Sequence, residues 1–360
     1  MMRILDRYLM REFMVYLALG LVGFIAIFVV VDIIEKTDVF LDHNAPFWTI
    51  CRFYAFRAPE VIVQVQPVAL MLATFLSLGQ LGKFGELTAM RTAGLSLRRI
   101  LLPIFVLALL ASVASLLIGE YLVPPANRER DRIYTVQIQD MRRDNPRERA
   151  DVTYLGTGGR IFYIRLYDSV TERMHDVSLQ EFEDGELVRR LDAKTAQWDG
   201  TRWVFEDGFL RTFDLGHEHA EPFARMGVDG ITERPDDFSK RTPQPDEMSY
   251  RELRAYVIRL RSSGARVENF LVDLHLKLAF PLVNFIVVLI GAALATRLRM
   301  QGAALGFGLS ILIAFFYYAF MRTGQALGHG GTLPPYLAAW IGDIVFGAIG
   351  VIMMAQAQRQ

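Results

Sequence analysis

The stretch Lys83–Arg99, KFGELTAMRTAGLSLRR, separates two apolar runs, Val61–Leu81 and Ile100–Ile118, and its reading decides the fold. Each run is long enough to cross the roughly 30 Å hydrocarbon core of a bilayer. Within the bridge, Lys83, Arg91, Arg98 and Arg99 stand against a single acid, Glu86. A short loop with that excess of base belongs on the cytoplasmic side of a membrane. The bridge also has helical spacing. Phe84, Leu87 and Met90 recur every three residues, and Gly94 stands where a helix C-terminus is commonly capped. Spacing alone leaves two readings open: a helix offered to a partner, or a loop lying on the lipid headgroups.

Outward from the bridge, six spans are expected at about 13–34, 59–82, 100–122, 271–296, 302–322 and 335–355. The first follows Arg3, Arg7 and Arg11, but it lacks a small-x-small cleavage site and ends at Asp32 and Glu35. It therefore reads as an uncleaved span, not a signal peptide. Arg297, Arg299 and Arg359 fall on the same side as the bridge, which puts both termini in the cytoplasm. Composition agrees: 52% hydrophobic content is too high for a wholly soluble chain of 360 residues, and 22% charged is too high for a wholly embedded one. Zero formal net charge provides no global field for nucleic acid. Cys51 is the only cysteine, so no intramolecular disulfide forms.

The fold class expected is an α-helical membrane bundle, 3+3 spans, with an inserted periplasmic all-β domain of jelly-roll type. Residues 1–122 hold spans one to three with a bridge helix over 84–94, and 123–246 the β domain. Residues 247–270 hold a connecting helix and 271–360 the last three spans. In the insert, Phe162, Ile164 and Leu166 alternate along 160–167, and further strands are expected at 175–183, 186–198, 202–207 and 209–214. Asp184-Gly185, Asp199-Gly200 and Asp207-Gly208 read as the turns between them. The Pro-rich stretch from Arg234 to Pro245 ends the sheet. Ser249 and Glu252 form a capping box for a helix carrying Leu253, Tyr256, Val257 and Leu260, stopped at Gly264.

Catalytic motifs are sparse. There is no GxxxxGK[ST] to cradle ATP phosphates and no zinc-spaced cluster. Gly156-Thr157-Gly158-Gly159 reads as a turn, and His217 and His219 as solvated side chains in an acidic loop. Gly302, Gly306 and Gly308 in span five, with Gly20 and Gly23 in span one, permit close helix packing. Asp343 in span six faces a protein interior or a cavity, as a tether or as part of a proton or substrate path. Lys36, Arg57, Lys277 and Arg322 fall near the outer headgroup plane, either as snorkelling anchors or as phosphate contacts for an anionic lipid. Asp32, Glu35 and Asp273 lie close enough in sequence to neutralise part of that set.

These features resemble the LptF/LptG (YjgP/YjgQ) family of lipopolysaccharide export permeases. The resemblance rests on Leu5-Asp6-Arg7-Tyr8-Leu9, on Gly85 to Ser96 in the bridge, and on Lys277-Leu-Ala-Phe-Pro281. The LDRY opening, the length and the short tail resemble the LptG-like members more than the LptF-like ones. The resemblance implies an ABC exporter in which two paralogous permeases pair over a separate LptB-like ATPase dimer that carries the ATP and Mg, with no cofactor bound by this chain. Glu86 to Gly94 would then be the ATPase-coupling helix, with Glu86 and Arg91 its polar contacts and Leu87 and Met90 its buried docking knobs. Lipopolysaccharide would be drawn from the outer leaflet of the inner membrane and passed to LptC-like and LptA-like periplasmic bridge proteins. An alternative is an ABC-type subunit that transmits force to a periplasmic partner without moving lipid.

Overall fold

The computed structural model describes residues 4–138, 148–156, 160–183, 186–214, 217–228, 230–239, 244–262, 267–297 and 303–357. The chain divides into two compact units. One comprises Met1–Tyr134, Pro245–Tyr250 and Glu268–Gln360, the other Thr135–Gln244 and Arg251–Val267.

The first unit is helical. Among the described residues six helices are long and apolar enough to cross a membrane. They are α1 (Ile4–Asp42), α2 (Phe47–Lys83), α4 (Leu97–Tyr121), the pair α8 (Glu268–Ala279) and α9 (Val283–Arg297), α10 (Ala303–His329) and α11 (Pro335–Ala357). The bridge helix α3 is Glu86–Thr92, and α5 (Val123–Arg132) continues from α4 before the chain enters the second unit. Helices α1 and α2, at 39 and 37 residues, outrun the expected spans. No glycine or proline interrupts α1 after Gly23; the helix ends where Asn44 turns to positive φ just before Pro46. Pro281 makes one turn of 3-10 helix, Phe280–Leu282, between α8 and α9, because its ring removes the amide that an α-helix needs. Helix α9 is apolar all round and is buried on nearly every side, whereas α1 and α10 leave most of their apolar surface uncovered. The core joins Phe13, Leu70, Phe75, Ile100, Val287 and Tyr317 from five of the spans.

Among the described residues the second unit is built on one six-stranded antiparallel sheet in sequential order: β1 (Glu148–Leu155), β2 (Arg160–Asp168), β3 (Arg173–Glu183), β4 (Glu186–Trp198), β5 (Trp203–Asp214) and β6 (His217–Gly227). The inserted β domain is there, with neighbouring strands joined as an up-and-down meander. Phe162 and Ile164 are buried while Tyr163 and Arg165 point outward, so the period-2 reading of β2 holds at its centre; Leu166 is only half-buried, and Ile161 and Tyr167 on the opposite face are buried. The short helix α6 (Pro235–Ser239) inserts Phe238 among Tyr154, Phe162, Tyr167 and Trp203. Two of the three polar aromatics there find backbone acceptors: Trp203 Nε1 donates to Glu233 O at 2.9 Å and Tyr167 Oη to Pro235 O at 2.8 Å. The helix α7 (Tyr250–Ser262) starts at the expected capping box and buries Leu253, Val257 and Leu260. Gly264 lies outside the described residues, as do Asp184-Gly185 and most of the Gly156–Gly159 turn.

Three expectations need correction. Asp207-Gly208 is no turn: β5 runs straight through it, with Asp207 at φ +53°. Glycine is needed there because a Cβ would collide with the Asp192 carbonyl oxygen and lie 2.6 Å from the Phe223 ring. His217 and His219 sit in strand β6, where Thr212 pairs with His219, not in a loop. Strands β1 and β6 were not foreseen, since their many charged residues hide the alternation that the pleat requires.

Candidate functional site

Two sites come out of the helical unit, one at each end of the spans. At the bridge end, α3 is a capped element. Gly85 enters at φ +74° and Gly94 leaves at φ +85°. Gly94 N donates to Arg91 O and Leu95 N to Met90 O, at 3.0 and 3.1 Å, the paired bonds that close a helix through a left-handed glycine. Ser96 then caps α4 by accepting from Arg99 N. The helix has two faces. Leu87, Met90 and Leu95 are half-buried and pack on the unit's own core. Arg91 and Gly94 are exposed with Thr88, Ala89 and Thr92, and Phe84 beside them is 66% exposed. Glu86 is half-buried and accepts a 3.5 Å contact from Tyr8 Oη on α1. Arg99 reaches back to Asp6 at 2.8 Å, which ties the start of α4 to the start of α1.

At the other end, where the chain leaves for the second unit, a cavity of about 840 Å³ opens between α1, α2, α4, α8 and α10. Its wall is largely apolar, with Phe24, Phe28, Val68, Leu276 and Phe280. Its rim is ionic and polar: Lys277 and Arg322 line it, with Glu60, Glu120, Asp246 and Asp273. Arg322 donates to Gln325 at 3.0 Å, and Asp273 accepts from Gln325 at 2.8 Å and meets His329 at 3.1 Å. Tyr318 Oη donates to the Gln64 carbonyl and so joins α10 to α2 across the cavity wall.

Lys36 and Arg57, the other two cations singled out from the sequence, are brought together by Asp32. Its buried carboxylate accepts from Lys36 Nζ at 2.6 Å, from Arg57 Nη2 at 3.0 Å and from Tyr54 Oη at 2.9 Å. Arg57 also lies over the ring of Phe28, a wall residue of the cavity, at 5.5 Å. The four cations thus form two pairs, one on the rim and one beside the wall.

Arg130 was not foreseen. It is buried in α5 and bonds to Glu60, to Asp131 at 2.8 Å and to Asp246 at 3.5 Å. Asn127 and Arg128 hold the backbone of Asp246 and Glu247 at 3.1 and 2.8 Å. The hub therefore clamps the outgoing and returning chain onto α2. Its only signal in the sequence is that Glu60, an acid next to Pro59, falls where a span begins.

The remaining candidates are dispersed. Gly302 lies outside the described residues, Gly306 is buried, and Gly308 is exposed with open space around it. Gly20 does approach α2, where an added Cβ would lie 3.5 Å from Ala69, whereas one at Gly23 would meet nothing within 4 Å. Asp343 is buried and accepts from Tyr317 Oη at 2.5 Å, a tether between α10 and α11. His219 is exposed, 3.2 Å from Glu221. Among the described residues no group of three or more His, Cys, Asp or Glu is placed to hold a metal ion.

A family model described as "Lipopolysaccharide export system permease LptF/LptG" matches residues 7–356, nearly the whole chain. No curated protein matches it.

Proposed function

The chain belongs to the lipopolysaccharide export permease family LptF/LptG, a transporter permease rather than an enzyme, and from that premise we propose how it works. It is a permease subunit of an ABC exporter, LptG-like, that draws lipopolysaccharide out of the outer leaflet of the inner membrane. The bridge end and both termini face the cytoplasm; the β unit is periplasmic. The observation that carries the reading is the cavity. A volume of about 840 Å³ with a largely apolar wall and charged groups along it suits an amphiphile whose acyl chains enter between helices while its phosphates meet Lys277 and Arg322. A subunit that only transmits force has no need of such a space.

The chain has no nucleotide motif, so the drive comes from an ATPase with its Mg and ATP, seated against α3. The two faces of α3 divide the labour. Glu86, Arg91 and Phe84 meet the ATPase, while Leu87 and Met90 grip the core, so a push on the helix moves the spans behind it. Gly94 fixes the angle at which α3 joins α4. The uncovered faces of α1 and α10 meet lipid and the paralogous permease, and released lipid passes to LptC-like and LptA-like proteins.

A photoreactive residue at Leu276 or Met321, on the cavity wall, is expected to yield a lipopolysaccharide adduct when the ATPase is inactive and to lose it on ATP hydrolysis. Full incorporation at both positions with no adduct at either sinks the proposal. Reversing the charge at Glu86 is expected to release the ATPase from the purified complex.

A further inference from the structure

The Asp32 cluster has an odd composition for a structural ion pair. Two cations share one carboxylate, which leaves the trio with one net positive charge. Asp32 is buried deepest, its side chain 6% exposed against 21% for Lys36 and 20% for Arg57. The cations are therefore reached from outside while their counter-ion sits behind them. Arg57 Nε is buried and has no hydrogen-bond partner, a donor still to be used. The guanidinium stacks over Phe28, so the cluster adjoins the cavity at its apolar wall.

A carboxylate and a phosphate make the same charge-assisted bonds to lysine and arginine. Two bare cations at the membrane boundary are costly when nothing neutralises them. An empty site needs a resident anion, and a loaded one does not. We propose that Asp32 stands in for the phosphate of the cargo lipid: it holds Lys36 and Arg57 in phosphate-binding geometry while the site is empty, then shares them with the lipid phosphate and so limits how tightly that phosphate is kept. The inference rests on the reading of the cavity as a lipid site. Its consequence is release. Without Asp32 the cations would bind the phosphate at full strength, and an exporter that holds its cargo stalls.

The test uses the full chain assembled with its partner permease and ATPase in nanodiscs, loaded with labelled bis-phosphorylated lipid A or its dephosphorylated form. Asp32→Asn keeps the shape and removes the charge. It is expected to retain the phosphorylated lipid about fivefold longer and to slow ATP-driven release, with the dephosphorylated lipid unaffected. Asp32→Glu, which keeps the charge, is expected to behave as wild type. If Asp32 merely staples α1 to α2, Asp32→Asn shortens retention or leaves it unchanged, and the inference is overturned. Should Asp32→Asn not assemble, Tyr54→Phe, which loosens Asp32 through one hydrogen bond, is expected to lengthen retention by a smaller factor; no change there overturns the inference equally. A wild type that discriminates between the two lipids, with Asp32→Asn no different, sinks only the role of Asp32. A wild type that does not discriminate sinks the phosphate-site reading as well. Excess inorganic phosphate is expected not to displace the lipid; displacement would assign the cations to a free anion instead.

Discussion

Two charged clusters at the same end of the spans, one centred on Arg130 and one on Asp32, differ in their ratio of acid to base. Arg130 has three carboxylates around it, those of Glu60, Asp131 and Asp246. Asp32 has two cations, Lys36 and Arg57. The first cluster closes on itself, its one cation already met by three carboxylates; what it does is join α2 to α5 and to the segment returning from the β unit. The second has positive charge left to offer. Both hold an arginine beside carboxylates, and counting acids against bases separates them. A third cluster guards against reading too much into the ratio. In the β unit Glu181 holds Arg160 at 2.7 Å and Arg189 at 2.6 Å, again one acid to two cations. Arg189 is 42% exposed there, and water and salt screen the surplus. The ratio tells of a ligand only where solvent does not do the neutralising.

The comparison breaks most readily at Arg130. Arg130→Ala removes the buried member of the cluster and leaves three part-exposed carboxylates without their shared cation; it is expected to cost about 2–3 kcal/mol, read as a large drop in the thermal midpoint of the purified chain. A drop no larger than that of a surface substitution would show that the hub is not structural. Next in size is the removal of the whole Asp32 cluster. The triple variant Asp32→Asn, Lys36→Gln, Arg57→Gln leaves no charge unpaired, so stability is expected to change little. Retention of phosphorylated lipid is expected to fall about tenfold. If both quantities fall together, the two clusters do the same work and the distinction fails.

A smaller effect is expected from Glu60→Gln, since Arg130 keeps two of its three acids. The cost should be about 1 kcal/mol, measured by the same thermal midpoint. The smallest concerns Glu181. Burial pushes its carboxyl up, but the hydrogen bonds and charges of Arg189 and Arg160 outweigh that and hold it below its ordinary value of 4.5. A folded-state value below the unfolded one stabilises above the ordinary value, and that stabilisation is lost as pH falls below it. Glu181→Gln should remove this acid-range dependence from the β unit, with an effect of about 1 kcal/mol or less, followed by near-ultraviolet circular dichroism.

Much of the architecture is legible in the chain. The spans declare themselves by length and apolarity, and the bridge by its glycines: Gly94 caps α3 as its position predicts. Both are local properties that depend on a few adjacent residues. Legibility fails where a residue answers to a distant neighbour. Asp207-Gly208 looks like a turn, yet strands β4 and β6 press on Gly208 from both sides and keep it extended. Leu87 and Met90 look like docking knobs on a helix that faces outward, yet they turn back onto the core.

By itself, then, the sequence determined the six spans, the inserted β fold, the bridge helix with its left-handed cap and the family. Each follows from short-range periodicity, from backbone freedom at single glycines, or from a motif read in order. Only the tertiary structure decided which cations are free to meet a ligand. Lys36 reaches its acid within one helical turn, but Arg57 and Tyr54 meet the same carboxylate from another helix, and Arg130 collects acids 70 and 116 residues away. The strength of an ion pair depends on distance and burial, and neither is written in the order of the residues.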